Sequence, residues 1–440
     1  MKFTPHTGPE IEEMLATIGV SSLDGLFEQI PEGVRLDGPL GIPEGVSELE
    51  IVEDLGRMAA RSRHLDDLVC FAGAGAYDHY IPSVVWALAG RSEFATAYTP
   101  YQPELSQGVL QALFEFQSMV CELTGLEVSN ASLYDGATAL VEAVNMSRTA
   151  ERGRVLVSEG VDPRLVDTLR TYGRGSGYEP EVFEADGGRG GSPVVDDDVA
   201  SVVVQHPNVF GILEPAAELF VTAREGGARA IQVFDPLSLG VLAPPGELGA
   251  DIAVAEGQSL GNHLAFGGPY VGLIAARMAD VRRMPGRIVG ETLDVDGDPG
   301  YVLTLQAREQ HIRREKANSN ICTNQTLMAI AATIYLGWLG PGGLAELGRQ
   351  CAAKASYAAE RLAEIPGVSL LHPDAPFFKE FALRVPGDAR LVVEGLVAHG
   401  YLGGVAFSKA GEDVLLVAVT ERRTREQIDG LVTAMEAVVA

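Results

Sequence analysis

Lysine is scarce in these 440 residues: Lys2, Lys316, Lys354, Lys379 and Lys409 are the whole set, and arginine carries the remaining positive charge. The formal charge of −27 repels phosphate backbones and anionic lipid, so neither nucleic-acid nor membrane-surface binding is expected. Cysteine is equally sparse. Cys70, Cys121, Cys322 and Cys351 lie far apart with no CxxC spacing, which argues against a disulfide framework and predicts four buried thiols. The eight histidines show neither HxxxH nor HExxH spacing, so no metal site is expected. No stretch of about 20 uncharged, apolar residues is expected to span a membrane, and MKFTPHTGPEIEEM lacks the apolar core of a secretory signal. A soluble cytoplasmic protein is the expectation. There is no internal repeat or low-complexity segment, and GGRGGSP near Gly187 reads as a loop tip.

What is present is enough apolar residue, 46%, to bury a large core in more than one domain. The pattern divides into an N-terminal helical arm (1–65), a large domain (66–340) and a small C-terminal domain (341–440). In the arm, PEIEEMLATIGVSSLDGLFEQI has helical spacing, and EGVSELEIVEDLGRMAARS is an amphipathic helix with Ser47 as cap and Glu50 three residues on. The segment from Cys70 to Gly108 is dense in Gly, Tyr and Pro, as functional loops are. Its Gly73-x-Gly75 pair lacks the strand and helix of a dinucleotide fingerprint. Within it Tyr77, Asp78, His79 and Tyr80 form a polar-aromatic cluster, in which His79 reads as a hydrogen-bonded core histidine.

A strong amphipathic helix ends at Gly125, and another begins near Asp135. The runs RVLVSE, EVFEA, ASVVVQHP, RAIQVFD, DIAVAE and YVGLIAA then alternate with helix-length stretches such as DPRLVDTLRTYG and ILEPAAELFVTAREGG. That alternation predicts a mostly parallel sheet covered on both faces, with sites beyond the strands' carboxyl ends. A long helical pattern from Tyr301 to Tyr335, interrupted by RREKANSNICTNQT, precedes a helix from Leu344 to Ala363, and the chain closes in α+β alternation.

The motifs are more specific than the layout. AYTPYQPELSQGVLQALFEFQSMVCELTG, NASLYDGATA, FDPLSLG, AEGQSLGNHLAFGGPYVG and REKANSNICTNQTLMAIAATIYLGWLGPGGL occur in order. Together they resemble the N-terminal half of the glycine cleavage system P-protein, and more narrowly the separate α chain of its two-chain bacterial form. The resemblance implies an α/β fold of the PLP-dependent transferases (fold-type I, aspartate aminotransferase-like), with a large mostly parallel domain and a small C-terminal α+β domain. It also implies an α2β2 heterotetramer in which the β chain binds pyridoxal phosphate (PLP) on its lysine. The implied reaction decarboxylates glycine, with PLP as electron sink, and passes the aminomethyl group to the lipoyl arm of H-protein.

On that pattern Asp235 stands where such enzymes keep the partner of the cofactor's ring nitrogen, and Ser259 stands approximately where the β chain has its lysine. A hydroxyl has no amine to condense with an aldehyde. None of the five lysines is expected near that loop. Asp135 falls at the helix start that ordinarily cradles a phosphate; as a capping carboxylate it would repel one, and it is expected to fill the redundant cradle. Asp235 is read as a relic that caps the turn before Pro236.

The burden then shifts to groups reaching a neighbouring chain's site. Candidates are Tyr98, Thr99, Tyr101, Gln102, Glu104, Ser106 and Gln107, together with Asn318, Ser319, Asn320, Thr323 and Asn324 at the helix break. Gly267 and Gly268 would permit close backbone approach. Two other readings stay open: a scaffold subunit touching no substrate, and a free-standing PLP enzyme with a displaced lysine.

Overall fold

The computed structural model describes residues 5–36, 38–317, 319–409 and 412–440. It separates into two compact units, Met1–Arg63 and His64–Ala440. In the first, helix Glu48–Ala59 starts at Ser47, whose hydroxyl accepts from the Glu50 N–H while the Glu50 carboxylate accepts from the Ser47 N–H at 2.9 Å. This is the expected capping box. The preceding helix, Gly8–Ile18, stops where Gly19 turns left-handed, at φ 85°, so the helical spacing read onward to Ile30 continues only as short 3-10 turns. Neither helix buries a side chain, and Leu49, Ile51, Val52, Leu55 and Met58 remain exposed.

The second unit is built on a seven-stranded sheet. Its order is Val128–Ser129, Gly272–Ala276, Ile252–Glu256, Arg229–Phe234, Val199–His206, Arg154–Ser158, Pro180–Phe183. Every apolar run read as a strand is one, and only Gly272–Ala276 runs against its neighbours. Side chains leave a strand on alternate faces, and both faces here are dry. Ile252 and Val254 pack with helix Gly136–Ser147, while Ala253 and Ala255 face the cluster of helices Gln107–Thr124 and Thr326–Ala363. Fully burying one such aliphatic side chain contributes roughly 1.5–3 kcal/mol, which is why these strands read as unbroken apolar runs.

Three expectations change. Tyr301 does not open a helix: Pro299–Thr304 pairs with Ile288–Leu293 as a hairpin, and Gln107 clamps Tyr301 by donating to its C=O and accepting from its N–H, both at 2.8 Å. The two later helices merge as Thr326–Ala363 across a break at Gly340 (φ 58°, ψ 179°), where Pro341 has no N–H to continue the ladder. That helix is long and apolar enough by composition to cross a membrane, yet half of its most apolar window is buried within the fold. Finally, only Cys70 and Cys351 are buried thiols; Cys121 is half-buried and Cys322 exposed, because it lies in the irregular segment before the long helix.

The C-terminal region forms an antiparallel sheet in the order Ser369–Leu370, Glu380–Arg384, Glu412–Ala418, Val405–Lys409, with helices Ala389–Ala398 and Arg425–Val439.

Candidate functional site

A pocket of about 530 Å³ opens beyond the carboxyl ends of strands Arg229–Phe234 and Ile252–Glu256, at the N-terminus of helix Gly136–Ser147. Helix N-termini offer unpaired N–H groups and a positive dipole end. Here two of those N–H groups, on Gly136 and Thr138, are taken by carboxylates of the chain itself. Asp135 accepts from the Thr138 N–H at 2.7 Å, as its cap role predicts, and Glu256 accepts from the Gly136 N–H at 3.0 Å. Only glycine permits that approach, since a Cβ at position 136 would lie 2.7 Å from the Glu256 nitrogen. Burial pushes the Glu256 carboxyl up to about 7, although the Gly136 N–H pulls it down. The carboxylate on the cradle's first N–H is therefore Glu256, and Asp135 serves its own helix one turn in. Glu256 ends the DIAVAE strand just before the Gly-rich loop, the one signal that marked it.

Asp235 caps the turn as expected, accepting from the Leu237 N–H at 3.0 Å. Its other oxygen is 2.7 Å from the Lys379 ammonium. This corrects the expectation that no lysine comes near: Lys379 precedes strand Glu380–Arg384 in the C-terminal sheet, but tertiary packing carries its side chain, 2% exposed, into the pocket wall. The backbone there is fixed by Phe378 N–H to Gly211 C=O (3.1 Å) and Val419 N–H to Lys379 C=O (2.8 Å).

The ammonium also lies 3.6 Å over the Tyr77 ring and 3.1 Å from His79 Nε2. A lysine ammonium only donates, so His79 Nε2 accepts and Nδ1 carries the proton that faces Glu421 Oε2 at 2.6 Å. Burial, then the Lys379 charge, lowers the His79 pKa and keeps the ring neutral. Burial pushes Glu421 up, but hydrogen bonds from His79 and the Tyr80 N–H outweigh it and hold the carboxyl low. His79 is thus the hydrogen-bonded core histidine expected. Its ligand atom, with those of Cys351 and Glu421, falls within 4.8 Å, but Nδ1 is committed to Glu421 and Nε2 to the Lys379 ammonium, which leaves the ring no free lone pair and sets a cation beside it. These donors do not suit a metal ion.

On the pocket's other walls, Glu380 accepts from the Ala74 N–H (2.6 Å) and the Tyr77 hydroxyl (2.9 Å), with burial pushing its carboxyl up to about 7. Ser259 is 4% exposed and lines the pocket, and its hydroxyl has no partner among the described residues. Gly267 lines it too, at φ 98°, and Gly268 follows at φ 137° beside the fully exposed Phe266.

The candidates for reaching a neighbour fall into separate places. Tyr98 and Tyr101 are 82% and 59% exposed, as Gln102 and Glu104 are exposed. Among the described residues the Thr99 hydroxyl is buried without a partner and Ser106 precedes its helix without a side-chain cap, while Gln107 is used up on the hairpin. Ser319 and Asn320 line a different cavity of about 640 Å³, where Ser319 bonds a Glu142 carboxyl that burial pushes up to about 7. Asn318 lies outside the described residues. Tyr101 and Asn324, by contrast, meet at Arg287, whose guanidinium donates to the Tyr101 hydroxyl (3.0 Å) and approaches Asn324 Oδ1 (3.5 Å). Sequence reasoning missed Arg287; its mark was a lone cation in the apolar, Gly-rich run MPGRIVG.

The family model described as "Glycine cleavage system P-protein" matches residues 1–435. The chain belongs to that family. A Moorella thermoacetica protein named "Probable glycine dehydrogenase (decarboxylating) subunit 1" is 51% identical, with 100% of both chains covered. A Carboxydothermus hydrogenoformans protein of the same name is 50% identical over 99% of each. Among solved structures, glycine decarboxylase (P-protein) of the glycine cleavage system in inhibitor-bound form superposes with a TM-score of 0.93 and 47% identity, over all of both chains. Sphingosine-1-phosphate lyase from Burkholderia pseudomallei, 16% identical with a TM-score of 0.66 over 93% of this chain, shares the fold alone. This P-protein family member therefore has the α/β architecture of PLP-dependent fold-type I enzymes, as its motifs implied.

Proposed function

We propose that this chain is the α subunit of a two-chain glycine decarboxylase and that the PLP of the complex sits on the β subunit's lysine, not here. The observation that carries this reading is a pocket whose anchoring groups are already paired within the chain. An internal ammonium, Lys379, occupies the aspartate that would meet a pyridinium, and an internal carboxylate, Glu256, occupies the N–H that would meet a phosphate. A phosphate brought to the Gly136 N-terminus meets the Asp135 carboxylate, and like charges at about 4 Å repel by about 4 kcal/mol at an effective dielectric of 20; Glu256 adds its own charge as it ionises near pH 7. The residues present do not fit the cofactor. In the complex PLP supplies the electron sink for decarboxylation.

What this chain offers is shape and donors to the β subunit's site, from the exposed loop of Tyr98 and Tyr101. Partner β chains in an α2β2 assembly, glycine as substrate, lipoylated H-protein as acceptor and a cytoplasmic location complete the proposal. Gln107, wholly used inside the chain, favours the scaffold reading for its own position.

Borohydride reduction of the purified two-chain complex, followed by peptide mass spectrometry, tests the assignment. The expected adduct lies on the partner chain only. An adduct on Lys379 overturns the reading and makes this chain a cofactor enzyme in its own right.

A further inference from the structure

Arg287 heads the largest fully buried side chains, at 2% exposure, and it has no acidic partner among the described residues. That is anomalous for a chain with 60 acidic residues against 33 lysines and arginines. Other arginines here do find carboxylates: Arg423 bonds Asp78 at 2.9 Å, Arg229 bonds Asp280 at 2.9 Å, and Arg154 bonds Glu181 and Asp198. The Arg287 guanidinium has the Tyr101 hydroxyl at 3.0 Å, the Tyr101 ring 4.9 Å beneath it, Asn324 Oδ1 at 3.5 Å, and nothing on Nε. A buried cation without a counter-ion is unfavourable. None of the described residues supplies the compensating anion, which points to one brought by a bound group.

The geometry also gives the direction from which it comes. The Tyr101 oxygen accepts from Arg287, so its own hydrogen is free to point away, toward the exposed side of the ring. A donor whose oxygen is itself bonded to a cation is polarised, and it bonds an anion more strongly than a free phenol does. Asn324 is held for its part: its amide donates to Ala131 C=O (2.9 Å) and the Ser132 hydroxyl (3.0 Å), which turns Oδ1 to Arg287. Ser132 keeps a left-handed φ of 126° in this arrangement, and its hydroxyl also accepts from the Gln325 N–H. Three separated motifs, AYTPYQ, NASLYDG and NICTNQ, thus converge on one arginine that belongs to none of them.

We propose that Tyr101 and Arg287 form an anion-binding site, in which a carboxylate or phosphate held in the partner chain's site accepts from the Tyr101 hydroxyl and Arg287 positions and polarises that donor. This rests on the reading that the partner holds the reaction site. The test uses the reconstituted two-chain enzyme, with assembly measured by sedimentation and with Tyr101→Phe beside Arg287→Gln. Losing a hydrogen bond to a charged group corresponds to a roughly ten- to hundred-fold change in affinity.

If the anion is the cofactor's phosphate, the PLP dissociation constant rises by that factor and that of pyridoxal, which lacks phosphate, does not. If it is the substrate's carboxylate, glycine KM rises while inhibition by methylamine is unaltered. If it is an acidic side chain of the partner, the assembly constant weakens instead. Each result supports the site and names its source. Unaltered values of all three for Tyr101→Phe, an exposed position that does not endanger folding, overturn it. The outcome is separable from the cofactor assignment, because a borohydride adduct on the partner alone together with a silent Tyr101→Phe removes only the present proposal.

Discussion

Replacing Lys379 by methionine keeps the length of the side chain and deletes its charge, which isolates what the ammonium contributes to the pocket wall. Asp235 would retain one hydrogen bond, from the Leu237 N–H, and its side chain is only 15% exposed. Removing one partner of a buried ion pair typically costs about 3–5 kcal/mol, because the other charge is stranded. His79 Nε2 would also lose its donor, an unsatisfied buried acceptor costing about 1–3 kcal/mol. The expected loss for Lys379→Met is therefore about 4 kcal/mol. In the double variant Lys379→Met/Asp235→Asn no charge is stranded, and the amide oxygen that replaces the carboxylate still accepts from the Leu237 N–H, so the loss should be only about 1–2 kcal/mol. Urea unfolding of the parent, both single variants and the double variant gives the coupling, expected to be at least about 2 kcal/mol. Single losses that sum to the double within about 0.5 kcal/mol would refute the claim that Lys379 and Asp235 neutralise one another.

Glu256 makes stability depend on pH. Its carboxyl moves from 4.5 to about 7 in the fold, so its contribution is fully present below pH 4.5 and is lost as the pH rises through 7, a difference of about 3 kcal/mol by pH 8. Glu256→Gln keeps one carbonyl oxygen for the Gly136 N–H; its urea midpoint should match the parent near pH 4 and exceed it at pH 8, and equal midpoints at pH 8 would count against the buried carboxylate. Thiol labelling of the native chain should modify Cys322 first and leave Cys70 and Cys351 unreacted until unfolding, with Cys121, pushed up to about 11 by burial, slow. Rapid labelling of Cys351 would show that its surroundings open far more readily than its burial implies.

The sheet was legible because its strands are covered on both faces, so Val, Ile and Ala runs mark them whatever surrounds them. The Ser47 and Asp135 caps were legible because a cap acts within four residues. Tyr301 was misread because YVLTL suits a strand or a helix about equally, and its pairing with Ile288–Leu293 and the clamp from Gln107, 194 residues away in the chain, decide between them. Of the candidate site, Asp235 was legible as the end of an apolar strand and Ser259 through the family resemblance, and the structure brings both into one pocket. Ser319 and Asn320, read together with the tyrosine loop, belong to another cavity.

By itself the sequence determined the family, the strands on either side of Asp235 and the absence of a lysine from the loop through Ser259 to Pro269, since each is a matter of local pattern. Only the tertiary structure decided what stands in for the missing groups. Lys379 comes to Asp235 from the start of strand Glu380–Arg384 in the C-terminal sheet, and Arg287 comes to Tyr101 from 186 residues further on. Contacts made across such distances leave no periodicity in the chain, because what selects them is the need of a buried charge for polar partners, which arises only in the folded interior.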